Sequence, residues 1–111
     1  MRLFKRRASV VLAIPLAALG APAAHGERVG AAAALFQQKC AACHDSAGWG
    51  TRALSLSVPP SEAELSVRKG LTSEYVRYVV RHGIGSMPPF TPTDLSDTRL
   101  GELATWLQRG R

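Results

Sequence analysis

The sequence predicts an all-α domain of about four helices joined by long loops, and three observations lead there. Apolar residues recur at helical spacing in four separate segments. Helix-starting Ser or Thr residues precede three of those segments, and glycines close two of them. No stretch sustains the alternation of a half-buried strand, and there is no internal repeat.

In chain order, residues 1–26 come first and read as an address, not as part of the fold. Arg2, Lys5, Arg6 and Arg7 make a basic start, Ala8 to Gly26 carry no formal charge, and small residues close the segment. This is the layout of a cleavable secretory signal, with a cut expected after Ala23 or Gly26. Positive charge stays on the cytoplasmic side while the apolar stretch is exported. The competing reading is an uncleaved anchor that holds the domain at the membrane, facing the periplasm, because the uncharged run is about as long as a bilayer span. Pro15, Gly20 and Pro22 interrupt that run and its end is cleavable. Those features favour removal, a periplasmic location and no stable membrane insertion. Arg6-Arg7 has the look of a twin-arginine signal, but the residues after the pair do not continue the pattern. The division also resolves the charge. The full 111-residue chain carries +6, yet residues 27–111 hold ten basic and eight acidic residues, a net +2. A nucleic-acid or other polyanion partner is therefore not expected.

The domain proper, residues 27–111, opens with a helix expected over Val29 to His44. Val29, Ala32, Ala33, Phe36, Cys40 and Cys43 fall close to one helical stripe there. Ser61 with Glu64 has the pattern of a capping box for a short helix running to Lys69, with Gly70 as its stop. Thr72 is the expected N-cap of the next helix. Leu71 and Val76 have the spacing of a hydrophobic staple, Val76, Val79 and Val80 mark the inner face, and Gly83 ends the helix. The last helix starts at Ser96. Leu95 and Leu100 repeat the staple spacing, and Leu100, Leu103, Ala104 and Leu107 form the stripe. Asp45 to Pro60 and Ile84 to Asp94 are rich in Gly, Pro, Ser and Thr and read as irregular. Loops of that length in so small a domain need something to wrap. A chain of about 85 residues is also near the size at which its own core is marginal.

Cys40-Ala41-Ala42-Cys43-His44 has the spacing for covalent attachment of haem of the c type. Residues three and four apart on a helix share a face. Both thiols then reach the haem vinyl groups, and His44 is brought under the iron as proximal ligand. The small Ala41 and Ala42 let the porphyrin approach the backbone. Three other readings compete. An oxidoreductase-type disulfide between Cys40 and Cys43 suits an exported chain, but such motifs sit near a βαβ pattern that is absent here. A zinc site needs about four protein ligands, and after these three residues the sequence offers one more histidine, His82, and no further cysteine. A purely structural disulfide leaves His44 without a role.

For the second axial position the candidates are Met87 and His82. Met87 is the only methionine after residue 26. Pro88 biases it toward an extended backbone, and Pro88 and Pro89 stiffen the loop, so a thioether is held toward iron at low entropic cost. Otherwise Met87 is a buried loop residue filling a gap. His82 sits at a helix end, where its ring would ordinarily bond the last carbonyls. The choice sets the potential: a thioether stabilises Fe(II), a second imidazole lowers the potential. Phe36 and Trp106 are expected to pack where the first and last helices cross. Trp49 and Arg52, and more weakly Thr51, are candidates to hydrogen-bond a haem propionate, with a plain surface role as the alternative for Arg52. Arg68, Lys69, Arg77 and Arg81 form either a basic rim for a partner or, as is the default for helix charges, a solvated face.

Together these residues resemble a small class I monohaem cytochrome c over nearly all of residues 29–109. The resemblance is carried by the helix ending in Cys40–His44, the stretch from Leu71 to Gly83, the Met87-Pro88-Pro89-Phe90 loop and the Leu95-Ser96-Asp97 helix start. The middle stretch is most similar to cytochrome subunits that accept electrons from flavoprotein dehydrogenases, such as that of 4-cresol dehydrogenase. The resemblance implies one covalently bound haem c, attached through Cys40 and Cys43, with His44 and Met87 ligating iron. The chain departs from the family pattern twice. His82 stands before the glycine where relatives often have Asn. No proline lies between His44 and Val58 to supply the carbonyl that would orient the proximal histidine, so the acceptor for His44 is unassigned.

The expected function is single-electron transfer, with Fe(III) and Fe(II) alternating and both axial positions filled. The chain would then be an electron carrier and not itself an enzyme, taking electrons from a periplasmic flavoprotein dehydrogenase as its subunit or as a diffusible carrier. A haem-based sensor or peroxidase would need an open sixth position, against which Met87 argues. A third reading, a non-haem interaction module, would carry a Cys40–Cys43 disulfide.

Overall fold

The Ala31–Ala34 run and the apolar residues beside it build the longest helix of the computed structural model, which describes residues 23–110. This helix, α1 (Ala23–Lys39), buries Ala32, Leu35 and Phe36 on one face. Alanine is the best helix former, and Lys39 in the last turn complements the helix dipole. The single helix expected to run on to His44 is interrupted at Cys40, whose φ of −122° leaves the helical region. The chain restarts at once as α2 (Ala41–His44), with the Cys43 and His44 N–H groups both donating to the Cys40 carbonyl, at 3.1 and 2.9 Å.

Two further short helices follow. α3 (Trp49–Leu54) lies inside a stretch expected to be irregular, and no side chain caps it. α4 (Pro60–Ala63) replaces the longer helix expected from Ser61 to Lys69. The capping box does not form: Pro59 is the N-cap, and Glu64 is already extended at the other end. The Glu64 carboxylate instead accepts a hydrogen bond from the buried Ser66 hydroxyl at 2.8 Å. A local side-chain bond of this kind competes with helix continuation.

α5 (Ser73–His82) and α6 (Asp97–Arg109) match expectation. Thr72 caps α5 by accepting from the Tyr75 N–H at 3.2 Å, and Ser96 caps α6 by accepting from Arg99 N–H at 3.4 Å. The residues at the staple positions, Leu71, Val76, Leu95 and Leu100, are all buried in the core. Gly83 ends α5 with φ +71°, a conformation that favours glycine. α6 is the spine of the domain: α1 and α5 both pack on it. Leu100, Leu103, Ala104 and Leu107 are buried there, and Phe36 meets Trp106 at 5.4 Å between ring centroids.

Arg81 ties the elements together. Its guanidinium donates to the carbonyls of Phe90 (2.9 Å) and Leu95 (2.8 Å) and to the Asp97 carboxylate (2.6 Å). The described residues thus form six helices and no strand, apart from an isolated bridge between Ile84 and Met87. The all-α class holds, and the helices beyond the expected four come from the break at Cys40 and from α3. None of the described helices is long and apolar enough to cross a membrane. Most of the expected signal segment lies outside the described residues.

Candidate functional site

α1 delivers Cys40 at its end, and α2 delivers Cys43 and His44 one turn later. Opposite them, the chain after α5 turns back through the Ile84–Met87 bridge, closed by reciprocal N–H to carbonyl bonds of 3.1 and 2.9 Å. Gly85, at φ +55°, makes that reversal possible. Between the two lies a cavity of about 650 Å³, within the usual size of small-molecule sites. Cys40, Cys43, His44 and Met87 all line it, and the wall between them is apolar, with Val80, Leu95 and Leu103 among its residues.

The loop after the motif holds it from behind. Gly48 and Gly50 pack directly on the backbone of the motif. A Cβ on Gly50 would stand 2.8 Å from the Cys43 carbonyl oxygen and 3.2 Å from His44 Cε1, and one on Gly48 would overlap the Cys43 carbonyl. The turn is pinned by the buried Thr51, whose hydroxyl donates to the Asp45 carbonyl at 2.6 Å. Thr51 is thus a structural residue. Of the two candidate propionate donors, Trp49 lines the cavity and Arg52 does not.

The donor atoms are left available. Neither cysteine is in a disulfide. Burial, and secondarily the neighbouring Cys43, pushes the Cys40 thiol up to about 11, so it stays protonated at neutral pH. Burial also lowers the pKa of His44, which favours the neutral imidazole that donates a lone pair. Among the described residues His44 Nδ1 is the only buried side-chain nitrogen or oxygen without a hydrogen-bond partner. A buried polar atom that the protein itself leaves unsatisfied is costly, and suits a site that a bound group completes. Together with the apolar wall and the two thiols, it fits a haem.

His82 is not part of this cavity. It is exposed, its ring stacks on Tyr78 at 4.2 Å, and its Nδ1 lies 2.8 Å from the Tyr78 carbonyl, to which it donates. The basic residues considered as one rim do not form one: Arg81 is used internally, and Arg77 lies against Gly101 of α6. Sequence reasoning missed Gly48 and Gly50. Two glycines bracketing Trp49 directly after the motif were the available signal of a close backbone approach.

A protein-family profile described as cytochrome c oxidase, cbb3-type, subunit III, matches residues 27–107, well over half of the chain. No curated protein and no solved structure matches it.

Proposed function

The chain belongs to the cbb3-type cytochrome c oxidase subunit III family, whose domain is a c-type cytochrome, and on that premise we propose a His/Met-ligated carrier of single electrons. Membership carries the all-α class I cytochrome c fold, a covalently bound haem c, a haem-based electron-transfer role and a redox partner. In our reading Cys40 and Cys43 would hold the porphyrin through thioethers, and His44 and Met87 would ligate its iron. One observation carries this: these four side chains line a single apolar cavity from which His82 is absent.

When bound, the haem supplies an iron that gains and loses one electron without any bond to substrate being made or broken. The chain's own residues do the rest. Val80, Leu95 and Leu103 exclude water from the wall. The Ile84–Met87 bridge and the two prolines after it hold the Met87 thioether still, so little rearrangement accompanies a change of charge. A thioether donor favours the reduced state.

Residues 1–26 are proposed to be removed on export, leaving residues 27–111 in the periplasm. The family match begins at residue 27, which supports that boundary. The electron donor is proposed to be a flavoprotein dehydrogenase, on the resemblance of Leu71 to Gly83. A second reading, delivery of electrons within an oxidase assembly, is favoured by the family's own description.

Intact mass and a haem stain of the secreted protein test the first claim; a mass equal to the bare polypeptide would overturn it. Met87→Ala should abolish the weak red absorption of sulfur-ligated ferric haem and lower the potential, while His82→Ala leaves both unchanged. The reverse pattern would make His82 the ligand. Co-purification from the native host separates the partners: a flavoprotein supports the dehydrogenase reading, an oxidase supports the other.

A further inference from the structure

A second cavity, of about 590 Å³, lies on the side of α6 turned away from the first. Leu103 lines the first cavity, whereas Gly101 and Thr105 line the second. Residues two apart on a helix point to opposite sides. Part of the groove is apolar: Trp106 lines it, backed by Phe36, with Val29 and Ala32 of α1 beside it. Arg28, Arg77 and Arg109 also open onto it.

The charge balance of the groove is positive. Of its two carboxylates, Asp97 is taken by Arg81 at 2.6 Å, which leaves Glu102. The guanidinium groups of Arg28 and Arg77 have no ion-pair or hydrogen-bond partner among the described residues. The groove also has a built feature. Glycine is the poorest non-proline helix former, yet Gly101 sits within α6. A Cβ there would stand 3.0 Å from Arg77 Nη2, so the guanidinium lies where a side chain would otherwise be. Gly101 thereby keeps the groove open and gives Arg77 its place over the helix.

We propose that this groove docks an acidic segment of a partner protein, with its carboxylates on Arg28 and Arg77 and an apolar side chain on Trp106. Arginine is suited to carboxylates through its planar fork, and an aromatic flanked by arginines is the usual composition of an interface anchor. A membrane surface fits less well. Anionic lipid is bound by clusters of four or more basic side chains near the surface, whereas here the arginines surround a concave, partly apolar groove that holds a carboxylate. Because the groove faces away from the Met87 cavity, a partner held there would leave that cavity free. The proposal does not depend on which residues ligate iron.

The test uses the secreted, haem-loaded, reduced protein labelled with ¹⁵N. It is titrated with a synthetic peptide of four glutamates around one leucine. The chain has two tryptophans, so the indole N–H of Trp49 at the first cavity is an internal control for that of Trp106. We expect a saturable shift of Trp106 and of the Gly101 amide, weakening with salt, with Trp49 unmoved. Arg77→Ala should weaken binding by about fivefold, the range of one exposed charge pair. Gly101→Ala should weaken it comparably while α6 stays helical, which separates loss of the groove from loss of the fold. Three results would overturn the proposal: no shift at Trp106, equal shifts at both tryptophans, or affinity unaltered in both variants. Tighter binding to phosphatidylserine vesicles than to the peptide, lost in Arg77→Ala, would also overturn it in favour of a membrane.

Discussion

Replacing Gly48 by alanine isolates the contact that holds the motif in place. Gly48 has φ −65° and ψ 147°, an extended conformation open to any residue, so the substitution adds no backbone strain of its own. Its effect is steric. The new Cβ would overlap the carbonyl carbon and oxygen of Cys43 and stand 2.9 Å from His44 N. A flexible side chain could swing away from such a clash, but these atoms are backbone. They can move only by opening the Asp45–Gly48 turn, which is closed by the Gly48 N–H on the Asp45 carbonyl (3.2 Å) and by Thr51 on the same oxygen (2.6 Å). Overpacking costs about 1–3 kcal/mol, and a clash between backbone segments belongs at the upper end, about 3 kcal/mol. For a domain of this size that lowers the melting temperature by about 12 °C or more. The measurement is a thermal melt of the haem-loaded protein followed by circular dichroism, together with its visible spectrum. The spectrum should change too, because the displaced segment carries His44. Gly50→Ala, whose Cβ meets the Cys43 oxygen at 2.8 Å and His44 Cε1 at 3.2 Å, should cost less. Gly30→Ala, with open space around it inside α1, should stabilise by about 1 kcal/mol. A Gly48→Ala protein with wild-type melting and an unchanged spectrum would refute the reasoning.

Arg81→Ala should cost about 2–3 kcal/mol in denaturant unfolding, because the half-buried guanidinium leaves the Phe90 and Leu95 carbonyls unsatisfied. Arg81→Lys should recover only part of that, since an ammonium cannot fork to several acceptors. Of the two helix caps, Thr72→Ala should cost about 1 kcal/mol and Ser96→Ala less, because its bond is longer, 3.4 against 3.2 Å. The exposed Asp94 carboxyl is held below the ordinary carboxylate range, first by the Thr91 hydroxyl (2.7 Å), then by the Thr91 N–H (3.0 Å). Its folded pKa is therefore below its unfolded one. The stability it contributes is present above about pH 3.9 and is lost as pH falls through the folded value. In Thr91→Val, melting temperature against pH should fall less steeply below about pH 3.9 than in wild type, and the gap between the two curves should narrow as Asp94 protonates in both.

The parts of the fold legible in the sequence are those fixed by neighbours in the chain. Thr72 and Ser96 cap because a hydroxyl reaches an N–H three residues on, and Gly83 stops α5 because of its own φ. The Cys40–His44 spacing is equally local. Failures occurred where a second local bond or a tertiary contact decided the outcome. Ser61 and Glu64 have the capping spacing, but Glu64 bonds Ser66 instead. The break at Cys40 and the short α3 bring the motif and the following loop to one cavity, and no periodicity over four to six residues could signal that. Met87 and His82 were open alternatives in the sequence because both could reach a metal. They separate in space because His82 spends its Nδ1 proton on the Tyr78 carbonyl and its ring on the Tyr78 ring.

The core and the cavity are not separate possessions of this fold. Val80, Leu95 and Leu103 belong to the buried cluster formed with Phe36, Leu100 and Leu107, and the same three residues line the cavity. Cys40, Met87 and Phe90 pack against that cluster while facing the cavity. A domain this small buries too little apolar surface to be firmly stable alone. An apolar disc held in the cavity would extend the cluster across the gap between α2 and the Met87 loop. That is why the long segments on either side of α5, which looked excessive for so short a chain, are consistent with a stable domain: they are the outer wall of a core whose centre the polypeptide does not itself supply.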